Sequence, residues 1–251
     1  MKNFKFILGA LAVAGSFFTS CDDDDDDVHY ESIVSVEKNQ TNTYFFSDKG
    51  NVLWPVNQTG MSAFKEKERA IILFNLAEKD FNRHPDAIKE TNEFIKLTSY
   101  QSILTKPVWN LTQENKDSIV VKNSDPVSIH NAWIGGGYIN LIFGFETAYI
   151  GVYHYVNVVN NTIDELENPK DGVYKLDFIH NSNGDGFFRY VTGIASFKLP
   201  DNIGDAKNLE IRFKRDNSEI RTITLPVESV AGEKLPTAAK NISETSFDIL
   251  D

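Results

Sequence analysis

Three histidines and the turn that follows one of them are the side chains whose spacing invites chemistry. His130, His154 and His180 each fall in an apolar, strand-like run. Three imidazoles on neighbouring strands are enough nitrogen to hold zinc. No H-x-H or H-E-x-x-H spacing supports a shared site, so each histidine is expected to be a half-buried polar residue or a hairpin-edge side chain, and no metal is expected. His29 and His84 read as surface residues. In "HNSNGDGFF" (His180–Phe188), Asn181, Asn183 and Asp185 alternate before Gly186, like the first half of a calcium loop. Thr192 stands where the bidentate acid should be and the first ligand is Asn, so a glycine-rich hairpin turn explains the same letters. Serines are plentiful, but none sits in a G-x-S-x-G elbow. An activated nucleophile needs a base placed beside it in space. The expectation is a protein that is not an enzyme and takes no cofactor.

The one cysteine, Cys21, has a different chemistry. With no second cysteine in the chain, a disulfide within it and a cysteine zinc site are both excluded. Lys2 and Lys5 precede "FILGALAVAGSFF" (Phe6–Phe18), thirteen uncharged residues that end just before Thr19, Ser20 and Cys21. That is the length of a signal-peptide core and too short to span a bilayer. The stretch resembles the lipobox of bacterial lipoproteins, with Phe18 where Leu is usual. The resemblance implies removal of residues 1–20 and acylation of Cys21 on its thiol and its new amino group. Several acyl chains anchor firmly where one does not. Asp22, Asp23, Asp24, Asp25, Asp26 and Asp27 follow directly. Six adjacent carboxylates repel one another and stay hydrated, which makes a tether. The run also resembles the surface-export signal of Bacteroidetes lipoproteins, which implies an outer-membrane, cell-surface location. Any calcium held by so undefined a run would be held weakly.

Aromatic side chains supply the positive lead for binding. Trp133, Tyr138, Tyr153 and Tyr155 are the candidate contacts for a ligand or partner, with Tyr149 nearby. Rings sharing a solvent face would make a platform for a sugar or a protein; rings in the core or in a domain joint would not. On one strand Tyr153 and Tyr155 take one face and His154 the other. "IGGGY" (Ile134–Tyr138) lacks the helix start and basic residue of a phosphate loop and reads as a hairpin turn or a close backbone approach.

The elements that position these residues are strands. Eighteen Phe and nine Tyr lie in short alternating runs. Residues 28–105 contain five of them: "HYESIVSVEKN", "NTYFFSD", "NVLWPV", "RAIILFNLAEK" and "NEFIKLTSYQSIL". Asp48–Gly50 turns between the second and third, and "NRHPDAIKE" allows a helical turn. Five short strands fit a small closed barrel. Residues 106–118, with Pro107 and Trp109, read as a linker. Residues 119–251 hold seven further runs, from "VSIHNAWI" to "IRTITLPV", and then a polar tail. The fold class expected is all-β: a small OB-like barrel followed by an antiparallel β-sandwich.

"YFFSDKGNVLWPVNQ", "RAIILFNL" and "FIKLTSYQSILTK" in the first unit, with "DPVSIHNAWIGGGYINLIFGF" and "LDFIHNSNGD" in the second, resemble the NigD-like lipoproteins of Bacteroidetes. The resemblance implies an OB-type barrel and a carboxy-terminal sandwich. It carries no catalytic or binding residues, and the family's name comes from a bacteriocin gene cluster. The net charge is −11, and loss of Lys2 and Lys5 would make the processed chain more acidic. Nucleic acid is therefore excluded as a partner, since no basic stripe exists to hold it. The expected partners are a membrane, through the acyl chains, and an envelope or secreted protein. Three accounts follow: a binding or structural module at the envelope, a bacteriocin-associated immunity or accessory protein, and a carbohydrate-binding surface lipoprotein.

Overall fold

The computed structural model describes residues 30–38, 42–57, 64–78, 92–114, 124–149, 151–161, 168–203, 206–215 and 218–227. The expected signal peptide, Cys21, the six aspartates, His29, His84, the turn expected at 82–90 and the polar tail lie outside them. No α-helix occurs among the described residues.

Five strands close a barrel: β1 (Tyr30–Lys38), β2 (Thr43–Ser47), β3 (Val52–Pro55), β4 (Arg69–Leu76) and β5 (Asn92–Pro107). β1 pairs with β2 and β4, β2 with β3, β3 with β5 and β4 with β5, so no strand is left at an edge. Alternation sends Val34, Val36, Phe45, Leu53, Ile72 and Ile95 inward, with Phe64 plugging the interior. Such side chains contribute about 1.5–3 kcal/mol each when fully buried.

The remaining strands are β6 (Trp109–Asn110), β7 (Ser128–Gly135), β8 (Tyr138–Thr147), β9 (Tyr155–Asn160), β10 (Val173–Asn181), β11 (Arg189–Lys198), β12 (Asn208–Lys214) and β13 (Ile220–Pro226). One sheet of the sandwich runs β5-β11-β8-β7 and the other β13-β12-β10-β9-β6. Leu141, Phe143 and Phe145 of β8, Val156 and Val158 of β9, Leu176 and Phe178 of β10, and Leu209 and Ile211 of β12 fill the space between them. The sandwich is mixed rather than purely antiparallel, because β10 and β12 run parallel. After β10 the chain crosses to the opposite sheet as β11 and returns as β12 heading the same way. Hydrophobic alternation carries no information about that direction.

Both bodies share β5. Its first part closes the barrel, and Leu104–Pro107 pair in parallel with Ala195–Lys198 of β11. The stretch read as a linker from residue 106 is thus, in its described part, the end of β5 followed by β6, which pairs with β9. Leu111, just beyond, is buried. Pro107 reads as a breaker in sequence, but here it closes a strand, where its missing N–H costs nothing.

Candidate functional site

Two polar constellations stand out, at opposite ends of β8. The first bolts the barrel to the sandwich. Arg69 opens β4 with its side chain on the outer face, beside Ser35 of β1, while Ala70 points into the barrel. The Arg69 guanidinium is fully buried. Its Nη2 donates to Asp48 Oδ1 at 2.6 Å and to Asn140 Oδ1 at 3.3 Å, and its Nη1 donates to Ser35 Oγ at 2.9 Å. Trp133 Nε1 donates to Asp48 Oδ2 at 3.0 Å, and Ser196 Oγ donates to Asn140 Oδ1 at 2.7 Å. The Tyr138 ring lies 5.1 Å from the guanidinium carbon, a cation–π distance. The glycines of "IGGGY" have two roles. Gly136 and Gly137 turn the β7–β8 hairpin with φ of 60° and 83°. Gly135 and Gly136 also leave room for the bolt, since a Cβ would stand 2.7 Å from Asp48 Cγ at the former and 2.5 Å from Arg69 Nη1 at the latter.

The second constellation holds the far tip of the sandwich, where Thr147 of β8 pairs with Arg189 of β11. Asn183 and Gly184 form the turn after β10, both with positive φ, as a type I′ turn closed by the Asp185 N–H on the Ser182 carbonyl requires. It joins strands of opposite sheets and so is not the hairpin expected from sequence. The turn aims Asp185 inward. Its carboxylate accepts from Thr147 Oγ1, from the backbone N–H groups of Ala148, Tyr149 and Gly186, and meets His154 Nε2 at 3.0 Å. His154 Nδ1 lies 2.9 Å from His180 Nε2, and His180 Nδ1 lies 2.9 Å from the Pro126 carbonyl. Phe145 stacks on the His154 imidazole and lies tilted against that of His180, each with its centroid 4.5 Å away. The two rings thus link the Asp185 carboxylate to the Pro126 carbonyl in one buried polar chain. Burial pushes the His180 imidazole down to about 4, keeping it neutral. Burial alone would raise the Asp185 carboxyl. The hydrogen bonds from Thr147, His154, Ala148 and Gly186 outweigh it and hold the group well below the usual carboxylate range.

This buried acid–histidine pair is not a hydrolase triad. The second nitrogen of His154, where a nucleophile would sit, is spent on His180, and the chain ends on a backbone carbonyl. Among the described residues no three His, Cys, Asp or Glu side chains are grouped to hold a metal. Asn181 Oδ1 accepts from the Asn183 N–H, and Asn183 donates to the Tyr153 carbonyl. Asn181, Asn183 and Asp185 are thus each engaged within the protein as parts of a turn.

Residues 107–227 match the family model for the NigD-like C-terminal beta sandwich domain. The second body of this chain is a NigD-like sandwich. The whole barrel-plus-sandwich architecture also recurs in solved structures. A DUF1344 protein of unknown function from Bacteroides vulgatus is 24% identical with a TM-score of 0.64, over 82% of this chain and 96% of that one. A protein described as toxin-related, from Parabacteroides distasonis, is 23% identical with a TM-score of 0.60, over 80% and 96%. A NigD-like immunity protein from Bacteroides caccae is 18% identical with a TM-score of 0.51, over 80% and 94%. At these identities the likeness is one of fold. No curated protein matches the chain.

The four aromatic candidates divide between the two ends of the NigD-like sandwich. Trp133 and Tyr138 belong to the bolt, where the Tyr138 hydroxyl donates to the Lys67 carbonyl at 3.0 Å. Tyr153 is exposed at the tip, and Tyr155 opens β9 half-buried. His154, between them, is buried, as alternation requires, although residues 151–154 lie outside β9. His180 joins His154, whereas His130 stands apart on β7 with Nε2 2.9 Å from the Tyr190 hydroxyl. Trp109 is exposed on β6, and Trp54 is buried against Tyr44 on the barrel. Sequence reasoning missed Asp48, Arg69 and Asn140 as a cluster, and it did not single out Phe187 and Phe188. They precede β11 and are 72% and 86% exposed. The available signal was "GDG": two glycines around an acid free the backbone to turn it inward.

Proposed function

We propose that this is a lipid-anchored envelope protein of the immunity or accessory kind, which binds a secreted or envelope protein and catalyses nothing. The observation that carries the reading is the NigD-like sandwich fixed to its barrel, an architecture shared with proteins named as NigD-like immunity and toxin-related. The sequence around Cys21 supports acylation there, and the six aspartates support a hydrated tether at the outer-membrane surface. The nitrogens of the buried Asp–His–His set are all used inside the protein, which supports a structural role for it. The carbohydrate account is weaker, because Trp133 and Tyr138 are committed to the bolt and leave no platform with Tyr153.

Deletion of the gene tests this reading. Deleted cells are expected to become more sensitive to the secreted antimicrobial proteins of neighbouring strains. The wild-type gene should restore protection, and the Cys21→Ala form should not. Unchanged sensitivity across a panel of such proteins would refute the immunity role.

A further inference from the structure

The tip of the sandwich exposes four aromatic rings. Tyr149 is 68% exposed, Tyr153 45%, Phe187 72% and Phe188 86%. They sit on two loops, 148–154 and 182–188, which Asp185 and Asn183 tie together. The loops read "AYIGVYH" and "SNGDGFF". Their one acid, Asp185, faces inward with its carboxylate hydrogen-bonded, and His154 is buried against it. The described parts of the two loops therefore expose rings and no charged group, while the half-buried Asp125 accepts from Ser182 N and Oγ at their base. Glu146 and Arg189 stand one row behind, on the strands. An uncharged ring-bearing surface on pinned loops suits the bilayer interface, where Tyr and Trp gather and formal charge is penalised.

Strand register gives the tip a direction. Tyr30, the first described residue, pairs with Phe74, which pairs with Leu97 of β5. β11 runs parallel to β5 with Ala195 opposite Leu104. Arg189 lies six residues before Ala195, and the same step back from Leu104 reaches Thr98. Counted along the strands, the start of β1 and the tip both lie on the side of the β5–β11 pairing from which β5 begins. Eight residues separate Cys21 from Tyr30, and the nine steps between the two reach about 30 Å at full extension. An anchor at Cys21 holds this side of the protein near the leaflet.

We propose that the tip seats in the interfacial layer of the bilayer that holds the Cys21 acyl chains, with Phe187 and Phe188 at the acyl boundary and Tyr149 and Tyr153 among the headgroups. This rests on the lipid-anchor reading, and the test separates the two. Cys21 is the only cysteine, so its thiol can be coupled to a maleimide phosphatidylethanolamine in phosphatidylcholine vesicles, whatever its fate in cells. The Phe188→Trp protein, measured as the difference from wild type, should shift its emission to the blue on coupling and be quenched by brominated lipid. Uncoupled full-length mature chain should partition onto the same vesicles about a hundredfold less well as the Phe187→Ser, Phe188→Ser double variant, with its thermal transition unchanged. Emission that stays at the aqueous position and is not quenched overturns the proposal. So does equal partition of the double variant, or a protein partner that alone protects these rings. Mass spectrometry of the cell-derived terminus decides the anchor separately.

Discussion

Replacing Asp48 by alanine should expose how much the bolt contributes. Asp48 accepts from Arg69 at 2.6 Å and Trp133 at 3.0 Å. Its removal leaves the guanidinium fully buried, with neutral partners only, Ser35 Oγ and Asn140 Oδ1. The Arg69 Nε already lacks an acceptor among the described residues. Breaking a buried pair on one side costs about 3–5 kcal/mol, and the orphaned indole N–H adds to that. We take about 4 kcal/mol as the expected loss. For a body of this size that lowers the melting temperature by roughly 8–16 °C. Calorimetry and urea unfolding at pH 7 measure it. The double variant Asp48→Leu, Arg69→Met removes both charges and should recover at least half of the loss, since an apolar pair of similar volume is often neutral. A loss below about 1 kcal/mol for Asp48→Ala, the range of an exposed ion pair, would refute the reasoning.

Acid should weaken the tip in a defined window. His180 titrates near 6.5 in the unfolded chain and is pushed down to about 4 in the fold, by burial and by His154, against the Pro126 carbonyl and Asp125. The unfolded state binds the proton first, so stability is full above 6.5 and falls as pH drops toward 4, by about 3 kcal/mol. Urea titrations across that range should show the slope, and His180→Asn should flatten it; an unchanged slope in that variant contradicts the assignment. Gly136→Ala meets both a φ of 60° and Arg69 Nη1 at 2.5 Å, while Gly137→Ala meets a φ of 83° and open space. Calorimetry should therefore find Gly137→Ala costing about 1–2 kcal/mol and Gly136→Ala clearly more; equal costs would deny the close approach. Thr147→Val should lower stability by about 1 kcal/mol through the lost bond to Asp185, read by the same melts.

Most strands were legible because each has one face in a core. The runs from "VSIHNAWI" to "IRTITLPV" correspond to β7 through β13, and the five barrel runs to β1 through β5. β6 was not, because two residues carry no period. The parallel pairing of β5 with β11 was hidden for another reason: register between strands ninety residues apart is set by packing, and alternation reports only which face is buried. The bolt was equally hidden. Asp48 looks like a turn residue and Arg69 like the polar start of an apolar strand, and only the fold brings Asn140 and Trp133 to them. For "IGGGY" the close-approach reading was available from composition, but the approaching partner was not. The histidines show the same limit. Burial of His154 and His180 followed from apolar neighbours, but His130 is exposed on β7, and the Asp185–His154–His180 chain depends on a turn that carries Asp185 inward.

The most direct test of the central claim is crosslinking on intact cells that carry the wild-type protein or its Cys21→Ala form, with the captured species identified by mass. The account predicts an acylated Cys21 terminus and a discrete secreted or envelope protein captured by the wild type and lost with the anchor. A free, unmodified terminus, together with the same captures from both forms or with none, would contradict it.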